Sequence, residues 1–180
     1  YIPEFLEDII KKNLNCIHFI KTPNQQLPLF NGANITKLKQ IEKYLENHKP
    51  NKIDNLGGLF KIKFKNHFLL IDVKSPPQKK FSQSYQSGPL SFEYFLDGIK
   101  IITNCGFGKN ISPKAELISK LTASQSTLTI NDTSVNKFER NRLINQVFGI
   151  SIKDTFKTSD LIITKNKKEI GCSISHNGYE

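Results

Sequence analysis

The chain has 180 residues, 37% of them hydrophobic, which is enough for one real core and argues against disorder over most of its length. Its formal charge of +10 raises nucleic acid as a partner, but Arg140 and Arg142 are the only arginines and the lysines are spread along the whole sequence. Scattered lysine reads as solvated surface, so no nucleic-acid partner is expected, and no apolar run approaches the roughly 20 residues that would cross a bilayer.

In chain order, Pro3 suits the first turn of a helix, and Phe5, Leu6, Ile9, Ile10 and Leu14 recur at spacings of three and four. That is an amphipathic helix, ended by Thr22-Pro23-Asn24. A turn at Asn31-Gly32 leads to a second helical stripe of Ile35, Leu38, Ile41 and Leu45, with Lys37, Lys39, Lys43 and Glu46 largely off it, until Pro50 stops the pattern. Two short helices bury little alone, so residues 1–52 read as the end of a larger helical domain. Since the sequence begins at Tyr1 and contains no Met, it is expected to be a segment of a longer polypeptide, with any targeting signal outside it.

Within Asn51 to Gly58 the period shifts from that of a helix to that of strands, and residues 53–180 read as β throughout. Leu59, Lys61, Lys63 and Lys65 alternate with Phe60, Ile62 and Phe64, and Asn66-His67 turns this strand into Phe68 to Val73. Leu90, Phe92, Tyr94 and Leu96 then alternate with Ser91, Glu93 and Phe95. Asp97-Gly98 can supply the positive φ angles of a type I′ turn, and Ile99 to Asn104 is the return strand of a central hairpin. A looser segment with Pro113 follows, then strands over Ser126 to Ile130, Asp160 to Thr164 and Glu169 to Ser175, the last two joined across Asn166-Lys167-Lys168. This succession predicts a mainly β fold, an antiparallel β-sandwich preceded by short helices.

No nucleophile elbow, phosphate loop, HExxH or EF-hand pattern is present. Gly106-Phe107-Gly108 reads as a turn. Glu93 shares a strand face with Ser91 and has the chemistry of an acid or base, although strand carboxylates are more often solvated or paired. Cys16, Cys105 and Cys172, with His18, His48, His67 and His176, show no metal-ligand spacing, and an odd cysteine count argues against a disulfide framework.

Six segments in order carry a resemblance: Leu29-Phe30-Asn31-Gly32-Ala33; Phe68 to Val73 with Asp72 near its end; Leu90-Ser91-Phe92-Glu93; Asn104-Cys105-Gly106; Thr122-Ala123-Ser124-Gln125-Ser126-Thr127; and Ser175-His176-Asn177-Gly178-Tyr179. Together they resemble the C-terminal part of the heparinase II/III-like polysaccharide lyases. The resemblance implies an α/α toroid joined to an antiparallel β-sandwich, so that residues 1–52 would close the toroid and 53–180 form the sandwich. It also implies β-elimination on a uronic-acid polysaccharide, in which a base removes the proton next to the carboxylate and an acid assists the leaving oxygen.

Most of that machinery is expected in the toroid, so this segment alone is not expected to be active. The family's histidine-x-histidine pair falls by position on Ser84 and Gln86, and its later histidine on Gln125. A metal site in such relatives would fall on Gln86, Asn104 and Gln125. Three neutral amides are poor zinc ligands, so neither metal nor any other cofactor is expected, and the amides are expected to converge near Tyr85 and hydrogen-bond one another. Ser84 and Tyr85 are the candidate substrate-side residues. The remaining implications are an acidic polysaccharide as partner and a cell-envelope or periplasmic location. A non-catalytic glycan-binding or structural role is the alternative.

Overall fold

The computed structural model describes residues 3–36, 38–51, 53–166 and 169–180. Its centre is a five-stranded antiparallel sheet in sequence order: β1 (Asn55–Leu56), β2 (Leu59–Phe64), β3 (His67–Asp72), β4 (Phe92–Leu96) and β5 (Ile99–Ile102). A separate two-stranded sheet pairs β6 (Ile162–Lys165) with β7 (Ile170–Ser173). The fold is mainly β, with four short or peripheral helices: α1 (Glu4–Ile20), α2 (Glu42–Glu46), α3 (Pro113–Lys120) and α4 (Arg142–Phe148).

The central hairpin closes as its sequence dictates. Leu96 faces Ile99 across two residues whose φ angles are both positive, 53° at Asp97 and 80° at Gly98, the condition for a type I′ turn. The preceding hairpin turns at Lys65-Asn66, one residue before the expected Asn66-His67, because Phe64 pairs with His67 and Lys65 takes φ 52°. Asn66 Nδ2 donates to Asp97 Oδ1 at 2.8 Å, which clips the two turns together at one end of the sheet.

The buried face of β4 is the opposite of the one its apolar pattern suggests. Ser91, Glu93 and Phe95 are buried, whereas Phe92, Tyr94 and Leu96 are only partly covered. The reason is pairing: Glu93 lies 3.3 Å from Lys100 Nζ and accepts from Thr103 Oγ1 at 2.7 Å and from Leu29 N at 3.2 Å. The anion is therefore carried inside by a cation, a hydroxyl and a backbone amide. Beside it Phe95 meets Phe68 edge-on, with ring centroids 5.6 Å apart, and Leu70, Phe30 and Phe19 complete this core. A second, smaller core gathers Tyr85, Phe138 and Ile152.

Three further expectations are corrected. The Ile35 to Leu45 stripe does not form one helix: a 3-10 turn at Leu38–Gln40 precedes the five-residue α2, and Ile35 stays exposed while Leu38 and Leu45 anchor the stretch. Lys37 and Lys52 lie outside the described residues, as do Lys167 and Lys168 of the expected last turn. Ser126 to Ile130 is not a strand, because its side chains do what a ladder would have done. The Ser126 hydroxyl donates to Phe92 O and accepts from Phe92 N at 2.9 Å, and Thr127 Oγ1 donates to Pro89 O.

Finally, the second half is not β throughout. Ser112 caps α3 by accepting from Ala115 N at 3.1 Å with Pro113 in the first turn, and Asn141 caps α4 by accepting from Leu143 N at 3.0 Å.

Candidate functional site

Antiparallel pairing brings the end of β3, the approach to β4 and the exit of β5 to one end of the sheet, opposite the clipped turns. Here Asp72, the 84–88 segment and Asn104 meet the C-terminal end of α3. Gln86 is buried and fully bonded: Oε1 accepts from Gly32 N at 3.0 Å, and Nε2 donates to Gly106 O and Ser119 O, each at 2.8 Å. Gln125 Nε2 donates to the same Ser119 O at 2.7 Å. The two glutamines thus converge on one carbonyl, and both amide nitrogens lie near Cys105 Sγ, at 4.0 and 3.8 Å.

Asn104 joins this cluster through the chain and not through its amide. Its Oδ1 accepts from Ser126 N at 3.0 Å and Ser126 Oγ at 3.1 Å, while its buried Nδ2 has no partner among the described residues. The expected mutual bonding of three amides is therefore replaced by a shared carbonyl for two of them and a serine for the third. Gln86 and Gln125 both present N–H donors to the space between them, so this donor set does not fit zinc, which needs lone pairs. Among the described residues no group of three or more His, Cys, Asp or Glu side chains is placed to hold a metal.

Ser84 and Tyr85 stand on the wall of a cleft of about 310 Å³ that Asn31, Asp72 and Lys74 also line. Ser84 is exposed and Tyr85 buried. Ser84 packs directly on Gly32, where an added Cβ would fall 2.7 Å from Ser84 Cβ; with φ at +95°, Gly32 is required both for its conformation and for this approach. Asn31 ties the cleft to the amide cluster: its Nδ2 donates to Asp72 Oδ2 at 2.9 Å, and its Oδ1 accepts from Gln86 N at 3.3 Å.

Burial pushes the Asp72 carboxyl up to about 6, against the lowering effect of the Asn31 bond and of Lys74 N, which donates to Oδ1 at 3.2 Å. Burial also raises the Tyr85 hydroxyl above its ordinary range, with the nearby Asp72 charge adding to the effect. A carboxyl poised near neutrality on a cleft wall has the chemistry of proton exchange, and its apolar strand offered one signal in sequence: a lone Asp closing Phe68 to Val73.

Lys120 gave no such signal, because it falls in the looser segment after Pro113, where a lysine reads as surface. It is wholly buried, donating to Gln83 O and to Tyr85 O at 3.3 Å, with its ammonium 5.1 Å from the centre of the Phe107 ring and 5.7 Å from that of Phe138. Burial brings its pKa down to about 8, partly opposed by Glu116. With Ser87 N donating to Lys120 O at 2.8 Å, α3 grips residues 83–87 from both sides and fixes Ser84 against the cleft. Glu93, by contrast, faces the core and is a structural ion-pair partner.

Residues 52–180 match the family described as heparinase II/III-like, C-terminal. The chain belongs to that family. No curated protein sequence matches it significantly. Among solved structures, a heparinase III gene product is similar with a TM-score of 0.57 and 16% identity, over 93% of this chain and 30% of that one. The heparan sulfate lyase HepC from Pedobacter heparinus gives 0.54 and 18%, over 78% and 28%. Another heparinase III structure gives 0.55 and 12%, over 77% and 29%. At these identities the likeness is one of fold, and this heparinase II/III-like chain spans under a third of the length of each.

Proposed function

We propose that this chain is the C-terminal part of a polysaccharide lyase that cleaves a uronic-acid polymer by β-elimination, residues 1–52 ending an α/α toroid and 53–180 forming the sandwich domain. Family membership across residues 52–180 is the observation that carries this reading. In such a reaction the proton beside the carboxylate is removed and the leaving oxygen protonated, and the groups that do so are assigned to the toroid. This chain supplies the cleft wall: Ser84 faces the polymer with Tyr85 buried behind it, Asn31 and Asp72 order that wall, and Lys120 holds the segment in place. The metal position of relatives is degenerate here, with Gln86 and Gln125 each donating an amide hydrogen bond to Ser119 O of α3. A location in the cell envelope or periplasm accords with a polymer substrate of this kind.

The protein containing this chain together with its toroid, incubated with uronic-acid polysaccharides, should release products with the ultraviolet absorbance of an unsaturated uronate. No absorbance with any such polymer would reject the lyase reading. The amides at positions 86, 104 and 125 favour a second reading, a non-catalytic glycan-binding member, in which the same protein binds the polymers without releasing that product.

A further inference from the structure

The cleft and the amide cluster use one end of the five-stranded sheet, and the opposite end carries a surface of different chemistry. Among the described residues β1 pairs only with Leu59 and Phe60 of β2, and Lys61 N donates to Asp54 O at 2.8 Å, with no strand on the outer side of β2 beyond that point. Over this part of the sheet a groove of about 450 Å³ is lined by His18, Lys21, Lys61, Lys63 and Lys65 and reaches across His67 of β3 to Asp97 in the next turn. A second groove of about 370 Å³ shares His18, Lys61 and Lys63 and adds Lys165 of β6, so the two adjoin. The five residues from Lys61 to Lys65, at about 3.3 Å each, make the floor roughly 16 Å long.

The trough carries more cations than anions. Asp54 and Asp97 are the acidic residues in its lining: Asp54 acts on Lys61, and Asp97 accepts from Asn66 Nδ2 at 2.8 Å. Among the described residues the ion pairs are Lys11 with Glu7, Lys100 with Glu93 and Lys153 with Glu139, none of which involves the trough. Lys61 is committed to the protein, donating to Phe19 O at 3.0 Å with its ammonium 4.5 Å from the centre of that ring. Lys21, Lys63, Lys65 and Lys165 are left as cations without a carboxylate partner. Sequence alone scatters them over residues 21 to 165; the fold lines them up.

The geometry points to a second, non-catalytic binding site for an extended acidic polysaccharide running over β2 at the turn end of the sheet, held by Lys21, Lys63, Lys65 and Lys165. This rests on the polysaccharide reading above and adds a place where the polymer is retained away from the cleft, since His67 lines the trough and Asp72, at the far end of β3, lines the cleft. Compact ammonium groups spaced along an open trough suit carboxylate and sulfate groups on a solvated chain. Nucleic acid is disfavoured by the lining: it holds no arginine, and Phe68, the one phenyl ring in the Lys21 to Lys65 part, is buried and offers no face for a base.

The test is binding of heparan sulfate chains to the 180-residue protein across a salt series, against a variant carrying Lys21→Gln, Lys63→Gln, Lys65→Gln and Lys165→Gln. The variant should lose about 30-fold or more in affinity, with a salt slope shallower by about three. A control carrying Lys109→Gln, Lys114→Gln and Lys157→Gln removes exposed charge elsewhere and should lose less than about threefold. Equal losses in the two variants, or tighter binding of duplex DNA than of heparan sulfate at the same salt, would overturn the proposal.

Amine acylation of the unsubstituted protein gives a readout free of folding effects. Bound heparan sulfate should shield Lys21, Lys63, Lys65 and Lys165 but not Lys109, Lys114 and Lys157, and uniform shielding counts against the trough. Turnover by the toroid-containing protein without trough-dependent binding would remove this site and leave the lyase reading standing. Trough-dependent binding without turnover would uphold the site and remove the lyase.

Discussion

Asp72 closes β3 with its carboxylate taken out of water and held by one amide and one backbone N–H. Its pKa is raised from 3.8 to about 6, so the folded state binds the proton more tightly than the unfolded chain does. Its ionisation therefore costs nothing below about pH 4, weakens the fold progressively as pH rises from about 4 to about 6, and costs its full amount above that. A shift of this size corresponds to about 3 kcal/mol. Asp72→Asn removes the ionisation and keeps an oxygen for Asn31 to donate to. Urea unfolding should show the variant more stable than the parent at pH 7.5 and the two nearly equal at pH 4; a difference of the same size at both values would refute the account.

Residues of this kind mark where reading the sequence stops. Asp72 was visible as the one charge in an apolar strand, and Gln86 and Gln125 could be placed only through family resemblance. Their shared carbonyl belongs to Ser119, on a helix that starts at Ser112-Pro113 and shows in the sequence only as a looser segment. Lys120 was invisible, because nothing in Ser119-Lys120-Leu121 announces that two rings and two carbonyls will enclose an ammonium.

At the scale of elements, the hairpins were legible because their turn residues carry the information locally. Asp97-Gly98 sets the turn type and the pairing beside it, Leu96 with Ile99 and Phe95 with Lys100, before a bulge at Tyr94-Phe95 shifts the register by one residue. The side of β4 that faces inward was not legible, since it depends on Lys100 of the neighbouring strand pairing with Glu93 and on Thr103, just after that strand, donating to the same carboxylate. Helices α3 and α4, eight and seven residues long, are too short to show a period, so only their caps announce them. Open space surrounds Gly98, with φ +80° and nothing within 4 Å of an added Cβ, so Gly98→Ala should register conformational strain alone. The expected loss is about 1–2 kcal/mol in urea unfolding, with Ser84 and Lys120 undisturbed. No loss would mean that the turn relaxes to another type and that the hairpin does not depend on Asp97-Gly98.

Across the whole molecule, stability is distributed unevenly, and α1 shows this most plainly. Its apolar stripe marks an amphipathic helix at the end of a larger helical domain, and within this chain Phe5 is 63% exposed, Ile9 49% and Ile10 47%, while Phe19 is 3% exposed. The helix is moored by its last two turns: Phe19 enters the main core, His18 Nε2 lies 3.0 Å from Leu45 O, and Asn15 Oδ1 is 3.0 Å from His48 Nε2 and accepts from Asn51 N at 3.1 Å. The first three turns add helix without burying it, and short helical stretches without packing are marginal in water. A chain beginning at Asn13 should therefore keep its urea midpoint within about 0.5 kcal/mol of the parent, whereas Phe19→Ala should cost about 3–5 kcal/mol by opening the core between Phe30, Phe68 and Phe95. Hydrogen exchange should agree, with amides from Leu6 to Lys12 unprotected and those from Ile17 to Lys21 exchanging only with global unfolding. If the truncation costs as much as Phe19→Ala, the stripe is engaged by this chain after all and the mooring described for α1 is wrong.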